Sequence, residues 1–142
     1  MKTWLPDINV WLALTFDKHA NHLSAIDWMN GLTEETVHFC RFTQQGFLRL
    51  ATNVRAVGDQ AVSMRDAWKL YDTIFADNRV AYANEPSGFE GSWRHLTQLS
   101  SMTPNTWGDA TLAALAITSG FELVTFDRGF GKFGGLSWTR LS

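Results

Sequence analysis

Short apolar runs alternate along this chain with longer segments of helical character, and this alternation is the strongest constraint on its fold. The runs at 2–5, 36–40, 79–83 and 122–126 have the length and apolar content of strands, and 136–141 is a candidate edge strand. Parallel strands need a crossover that is longer than a hairpin. The pattern therefore predicts an α/β fold with a central, mostly parallel sheet of four to five strands, flanked by helices.

Capping residues and helix breakers predict where the helices begin and end. Thr43 is the expected N-cap of one helix, and Ser63 with Asp66 forms an approximate capping box for the next. Thr106 opens the last, alanine-rich helix, which Gly120 ends. The predicted helices span 8–16, 22–30, 44–51, 64–74, 89–99 and 106–119.

The composition fits one globular domain. A chain of 142 residues is near the usual size of a single domain, and no stretch has the composition of a linker, so we expect one domain over 1–142. Apolar residues make up 45% and charged residues 18%, which excludes intrinsic disorder. The net charge is −2, so any contact with RNA must depend on locally placed basic residues.

The cysteine content and the apolar runs indicate where the protein resides. Cys40 is the single cysteine and lies in an apolar run, so we expect a buried structural thiol in a reducing compartment. The N-terminus lacks the pattern of an export signal, and no apolar run approaches the ~20 residues of a membrane span. We therefore expect a soluble, cytoplasmic protein without a membrane partner.

Three aspartates fall where an α/β fold places its functional site. Asp7 follows the first predicted strand, Asp127 follows the fourth, and Asp109 lies in the first turn of the last helix. In open parallel sheets the functional crevice lies beyond the carboxyl ends of the strands, near the point where strand order reverses. If the first and fourth strands are close in the sheet, all three carboxylates face one crevice.

Three clustered carboxylates require a counter-charge. Two unit charges ~4 Å apart repel by about 4 kcal/mol at an effective dielectric of ~20, so protons or a cation must be present. Oxygen ligands without clustered Cys or His favour a hard cation such as Mg²⁺. A cation held in this way suits phosphodiester hydrolysis, because it polarises the phosphoryl oxygen and activates water.

Each aspartate also has a purely structural interpretation. Asp7 is a candidate N-cap for the helix that begins near residue 8. Asp109 would complete a capping box with Thr106, and Asp127 would be a turn residue before a glycine. Capping alone does not explain why all three carboxylates fall at the predicted crevice.

The ordered motifs around these aspartates resemble the PIN-domain family. They are LPDINVWLA at 5–13, GDATLAA at 108–114 and LVTFDRGF at 123–130. More narrowly, three further features are similar to VapC-type toxins: HANH at 19–22, Trp28 and TQQGFLRL at 43–50. The similarity extends from Lys2 to Leu141, which is nearly the whole chain.

The resemblance implies a PIN-like fold and a Mg²⁺-dependent endoribonuclease, in which Mn²⁺ can replace Mg²⁺. The enzyme would be the toxin of a toxin–antitoxin pair, held inactive by a small cognate antitoxin. Asp7, Asp109 and Asp127 would be the catalytic, metal-holding carboxylates. In the family Asn9 accompanies the first of them, and the hydroxyl of Thr125 would orient the last.

The chain departs from the family pattern in its third helix. Many PIN domains have a Glu three residues after the Thr that corresponds to Thr43, and this chain has Gly46 there, preceded by Gln45. A neutral Gln offers a carbonyl oxygen but no charge. The departure leaves open whether the site holds one metal or two.

Contacts to RNA and to partner proteins would depend on a few exposed residues. Arg41, Arg49 and Arg128 are candidates for phosphate contacts, and Trp107 is the best candidate for base stacking because it adjoins Asp109. The apolar, Trp-rich first helices offer surface for an antitoxin helix or for a homodimer. His19 and His22 are interpreted as capping or surface residues, since no third metal ligand lies near them.

Two other functions compete with the nuclease hypothesis. An Asp after the first strand of an α/β sheet can also accept a phosphoryl group. Asn9 argues against a phosphatase, which usually has an Asp there, and Asp127-Arg128 stands where a receiver domain would need a Lys. The second alternative is a catalytically weakened PIN-like module that binds RNA or protein, for which Gly46 is the motivating departure.

Overall fold

The computed structural model describes residues 1–98 and 102–142, which form a five-stranded sheet with helices on both faces. All neighbouring strands pair in parallel, in the order β3-β2-β1-β4-β5. This confirms the α/β prediction, and strand bounds agree with the sequence-based ones to within about two residues. The strands are β1 (Thr3–Pro6), β2 (Thr36–Phe39), β3 (Val80–Tyr82), β4 (Glu122–Thr125) and β5 (Trp138–Arg140).

All six predicted helices are present, and the helix at 22–30 has the predicted bounds. The helices are α1 (Ile8–Thr15), α2 (His22–Asn30), α3 (Arg41–Ala51), α4 (Val54–Val57), α5 (Met64–Phe75), α6 (Phe89–Leu96) and α7 (Thr106–Ser119). The predicted end of α6 at Leu99 lies outside the described residues. The sequence analysis missed α4 and the 3₁₀ turns Gly58–Gln60 and Gly129–Lys132, because a single turn is too short to show helical periodicity.

Two predicted caps are wrong. Cys40, not Thr43, is the N-cap of α3, and the Thr43 hydroxyl instead accepts the Cys40 backbone N–H at 3.0 Å from inside the helix. Asn105, not Thr106, precedes α7, and the Thr106 hydroxyl accepts the N–H of Thr103 at 3.3 Å. Thr43 is the third residue of α3, and Thr106 is the first residue of α7, where the helix was predicted to open. Each hydroxyl accepts a backbone N–H from within its helix rather than from the N-cap position, which spacing alone does not reveal.

The other residues that were predicted to begin or end helices are confirmed. The Ser63 hydroxyl accepts the Asp66 backbone N–H at 3.1 Å, and Gly120 ends α7 in the left-handed conformation at φ 72°. Cys40 is buried, as expected. The predicted first strand ends at residue 5, whereas β1 includes Pro6 as its last residue. Pairing with β2 ends at Trp4, so the absence of an N–H on Pro6 removes no hydrogen bond to β2.

The core has two parts, one on each face of the sheet. Alternate residues of a strand point to opposite faces. Trp4 of β1 and Val124 of β4 therefore belong to the cluster under α1, α2, α3 and α5, and their neighbours Leu5 and Leu123 belong to the cluster under α6 and α7. Among the described residues no helix is both long and apolar enough to span a membrane.

The position of β1 determines where the functional crevice lies. The chain passes from β1 to β2 on one side of the sheet, and later reaches β4 on the other side. The reversal point is therefore the gap between β1 and β4, which are direct neighbours with Pro6 opposite Val124. Residues that follow these two strands lie at the mouth of that gap.

We expect Phe39→Ala to lower the free energy of unfolding by about 3–5 kcal/mol, because it removes a fully buried ring. The Phe39 ring stacks on Trp11 and also contacts Phe47 and Tyr71. The matched control is Leu23→Ala, since Leu23 is 77% exposed and its truncation should change stability by no more than about 0.5 kcal/mol. Urea denaturation measures both, and equal losses would contradict this description of the core.

Candidate functional site

Asp7 is held at the mouth of the crevice by three hydrogen bonds. Its backbone N–H donates to the carbonyl of Val124 at 2.9 Å, which continues the pairing of β1 with β4. Its side chain caps α1, with Oδ1 accepting the N–H of Ile8 at 2.7 Å, and Oδ2 accepts the hydroxyl of Thr125 at 2.9 Å. The capping interpretation of Asp7 is therefore correct, and it accounts for only one of the two carboxylate oxygens.

Thr125 connects the first aspartate to the last one. Its fully buried hydroxyl donates to Asp7 and accepts the backbone N–H of Asp127 at 3.0 Å. The sequence analysis expected this hydroxyl to orient Asp127. The structure shows that it bonds the backbone of Asp127, and that the carboxylate it contacts is that of Asp7.

Asp109 and Asp127 complete an acidic cluster. Asp109 is partly buried in the first turn of α7, and Asp127 is exposed after β4. Asp109 and Asp127 both raise the pKa of Asp7 by charge repulsion, and Asp127 also raises the pKa of Asp109. The three predicted carboxylates therefore lie close enough to act on one another across the crevice.

Burial is the main influence on the pKa values of Asp7 and Asp109. Burial raises the pKa of Asp7 from 3.8 to about 6, against the opposing effect of the hydrogen bonds from Thr125 and Ile8. Burial is also the largest effect on the pKa of Asp109, which is raised although Lys132 acts to lower it. Both groups are held where their negative charge is unfavourable without a cation.

The carboxylates of Asp7, Asp109 and Asp127 are suitable ligands for a hard divalent cation, but their side chains do not converge around a single position. All three side chains offer carboxylate oxygens, which Mg²⁺ and Mn²⁺ prefer. Within residues 1–98 and 102–142, no three acidic, histidine or cysteine side chains already converge closely enough to hold a metal ion.

Lys132 is a residue of this site that the sequence analysis missed. It lies in the 3₁₀ turn that follows Asp127, and it is the cation whose charge acts on Asp109. The signal available in the sequence was a lysine in the glycine-rich segment 129–135, next to the last motif. The 3₁₀ turn that carries Lys132 was not predicted, so the lysine was overlooked.

The structure does not bring Gln45 to the aspartates. Gln45 is exposed and lines a groove between α3 and α5. Gly46 is the buried residue of the pair, and a Cβ placed on it would collide with the side chain of Ile8. Ile8 directly follows Asp7, so hydrocarbon fills the space beside the first aspartate where a longer residue at position 46 would have to fit.

The four predicted RNA-contact residues are spread over the surface. Arg41 lies at the start of α3, with its guanidinium 5.3 Å from the centre of the Tyr82 ring, and Arg128 is exposed beside Asp127. Arg49 instead lines the groove between α3 and α5. Trp107 is 57% exposed, and its ring lies edge-on to Trp93 of α6 at 5.7 Å.

The remaining polar residues of the early motifs have mainly local contacts. His19 accepts the backbone N–H of Asn21 through Nδ1 at 3.0 Å, and Nδ1 of His22 lies 2.6 Å from the carbonyl of Ala13. These bonds agree with the structural interpretation of both histidines. Asn9 lies in the first turn of α1, and its buried Oδ1 has no hydrogen-bond partner in the described part of the chain.

Comparisons with known proteins identify the family to which this parallel α/β domain belongs. The family model of the PIN domain matches residues 5–136, and the chain belongs to the PIN-domain family. A relative at 42% identity over 137 residues is Ribonuclease VapC41 of Mycobacterium tuberculosis, aligned over 93% of this chain and 94% of that protein.

Solved structures share the fold at low sequence identity. VapBC2 from Rickettsia felis, bound to a promoter DNA fragment, matches with a TM-score of 0.72 and 11% identity over 99% of both chains. VapC20 of M. tuberculosis, a sarcin-ricin loop cleaving toxin, matches with a TM-score of 0.69 and 19% identity over 95% of this chain and 99% of that one. At these identities the likeness shows the fold alone.

We expect the raised pKa of Asp7 to make the metal-free protein more stable as the pH falls from ~7 to ~4. Asp7 binds its proton more tightly in the folded state, so the stability it contributes is present below pH ~4 and is lost as the pH rises through about 6. A shift of this size corresponds to about 2–3 kcal/mol.

The variant Asp7→Asn tests this expectation, because an Asn keeps the N-cap and removes the charge. Urea denaturation in metal-free buffer should show Asp7→Asn to be more stable than the wild type near neutral pH, with the difference disappearing near pH ~4. Parallel pH profiles for the two proteins would contradict the raised pKa.

Proposed function

We propose that this protein is a Mg²⁺- or Mn²⁺-dependent endoribonuclease, and the toxin of a type II toxin–antitoxin pair. The observation that carries the proposal is the acidic cluster of Asp7, Asp109 and Asp127 at the reversal point of the sheet, with Asp7 and Asp127 tied together through Thr125. The relative named Ribonuclease VapC41 supports the activity, since it aligns over nearly the whole of both chains.

Each residue of the site contributes a separate part of the chemistry. A bound divalent cation supplies the charge that polarises the phosphoryl group and lowers the pKa of water. The chain itself holds Asp7 in one orientation through the Ile8 amide and the Thr125 hydroxyl, which leaves its position little freedom. Asp109, in the first turn of α7, and Asp127, which follows β4, add further negatively charged oxygens. Lys132 offers a positive charge for a substrate phosphate beside Asp109.

The structure argues against the phosphoryl-acceptor alternative. A carboxylate that accepts a phosphoryl group needs an accessible oxygen, and Asp7 is only 7% exposed with both oxygens hydrogen-bonded. In this arrangement Asp7 is better suited to hold a cation than to act as a nucleophile.

The catalytically weakened binding module is a second candidate function, and one observation favours it. α3 contains no Asp or Glu, and the side chain of Ile8 fills the space above Gly46, so α3 contributes no carboxylate beside Asp7. A site with three carboxylates suits one cation better than two. Cleavage assays separate the two candidates.

The proposed partners are an antitoxin and a second copy of the chain in the cytoplasm. Structures with this fold include VapBC complexes from Rickettsia felis and from nontypeable Haemophilus influenzae, which supports an antitoxin partner. Several large apolar side chains are exposed and offer surface for such contacts: Leu23, Val54, Met64 and Trp68. A short DNA-binding protein encoded in the neighbouring reading frame would be the candidate antitoxin.

We expect the purified protein to cleave RNA with Mg²⁺ or Mn²⁺, and EDTA to stop the cleavage. Asp7→Asn and Asp109→Asn each remove one negative oxygen with little change of shape, so each should lower the cleavage rate by at least ~100-fold, beyond the effect of outer-shell changes. Gel analysis of labelled RNA measures the rates. The matched control is Asp72→Asn, an exposed carboxylate on α5 whose removal should leave the rate unchanged.

Two outcomes would count against the nuclease proposal. Cleavage that continues undiminished in EDTA would show that no divalent cation is required. Equal RNA binding by the wild type and Asp109→Asn, with no cleavage by either, would favour the binding module. Circular dichroism of each variant excludes unfolding as the cause of a lost activity.

A further inference from the structure

A concave site lies along the same edge of the sheet as the aspartates. It is a cavity of about 470 Å³, within the ~300–1,000 Å³ range of small-molecule pockets. It lies between the start of α3, the segment that follows β3, and the helices α6 and α7. Its lining includes Arg41, Phe42, Tyr82, Asn84, Glu85 and Phe89.

The cavity and the acidic cluster share a wall. β2 is the direct neighbour of β1, so the residues that follow these parallel strands lie at the same edge of the sheet. Phe42 lines the cavity and packs against Gly108, where an added Cβ would come within 2.9 Å of the ring. Gly108 directly precedes Asp109, and Thr111, two residues after Asp109, also lines the cavity. A polymer bound at the aspartates therefore needs to extend by only a short distance to reach it.

The lining has the chemistry that recognises an unpaired base. The Arg41 guanidinium lies 5.3 Å from the centre of the Tyr82 ring, and Phe42 adds a second, partly buried ring to the lining, with the buried Phe89 beneath. Aromatic rings and guanidinium planes are the groups on which single-stranded bases stack. The amide of Asn84 can donate to and accept from a base edge.

The charge of the cavity argues for a base rather than a phosphate as its occupant. Arg41 contributes one positive charge, and Glu85 offsets it with one negative charge. A phosphate would be repelled by Glu85, whereas a base carries no charge and can donate an amino hydrogen to a carboxylate. Arg41, expected from the sequence to contact phosphate, is thus placed to stack instead.

We propose that this cavity is a nucleobase subsite, which takes an unpaired base of the RNA that flanks the phosphodiester held at the aspartates. The inference rests on the proposed nuclease function, and it names where the enzyme distinguishes one RNA sequence from another. Tyr82 and Arg41 provide stacking surfaces, and Asn84 and Glu85 contact the base edge.

The test measures binding without cleavage. In EDTA, fluorescence anisotropy compares a labelled single-stranded RNA of random sequence with an abasic ribose–phosphate oligomer of the same length, which has the same charge and no bases. The wild type should bind the RNA more tightly. Tyr82→Leu should weaken RNA binding by about tenfold, the effect of losing one stacked base, and leave the abasic oligomer unaffected.

Three further variants test whether a loss of RNA binding is specific to the residues of the cavity. Arg41→Ala changes an exposed side chain, so it should keep the fold and also weaken RNA binding. Tyr82→Phe retains the ring and should bind as the wild type does. Arg65→Ala removes the same charge from an exposed position on α5, away from the cavity and the aspartates, and should change nothing.

The outcomes separate this proposal from the nuclease proposal. A wild type that binds both oligomers equally, or Tyr82→Leu and Arg41→Ala variants that bind RNA normally, would overturn the subsite. Metal-dependent cleavage by the wild type is scored in parallel. Cleavage without base discrimination would refute the subsite alone, and discrimination without cleavage would refute the nuclease alone.

Discussion

The hydrogen bond from the Thr125 hydroxyl to the Asp7 carboxylate is the interaction on which the site depends. It joins the ends of β1 and β4 at the reversal point of the sheet, over 118 residues of sequence separation. The same hydroxyl accepts the amide of Asp127, so one buried oxygen positions two acidic residues. The other Asp7 oxygen caps α1, which fixes the first helix relative to the same crevice. The same hydrogen bonds therefore connect the strands and the first helix of the fold and position the acidic residues of the site.

This arrangement places negative charge where it destabilises the fold. Asp7 is buried with its pKa raised to about 6, and Asp109 and Asp127 repel it. The two apolar clusters on the faces of the sheet supply the stability that keeps these carboxylates in place. A carboxylate cluster with unfavourable charge is a common feature of functional sites, because a cation or substrate relieves the repulsion when it binds.

Much of the fold was predictable, because apolar periodicity and end signals such as Ser63 and Gly120 act locally. The positions of Asp7 and Asp127 were predictable, since each follows a parallel strand, and the position of Asp109 was predictable from the first turn of the last helix. Side-chain direction on α3 was not predictable: the helix begins at Arg41 rather than after Thr43, and Gln45 points away from the site. The packing of Ile8 on Gly46 and the effect of the Lys132 charge on Asp109 depend on tertiary contacts, which no local sequence pattern predicts.

The carboxyl edge of the sheet therefore combines an acidic cluster with an adjacent aromatic cavity, and the proposed nuclease activity requires the cluster to bind a divalent cation. Titration of the ¹⁵N-labelled protein with Mn²⁺ tests this claim directly, because the paramagnetic ion broadens the NMR signals of nearby amides. The amides of Ile8, Asp109 and Asp127 should broaden first, and Asp7→Asn should suppress the effect. Broadening centred on His19 and His22, or spread evenly over surface carboxylates, would contradict the account.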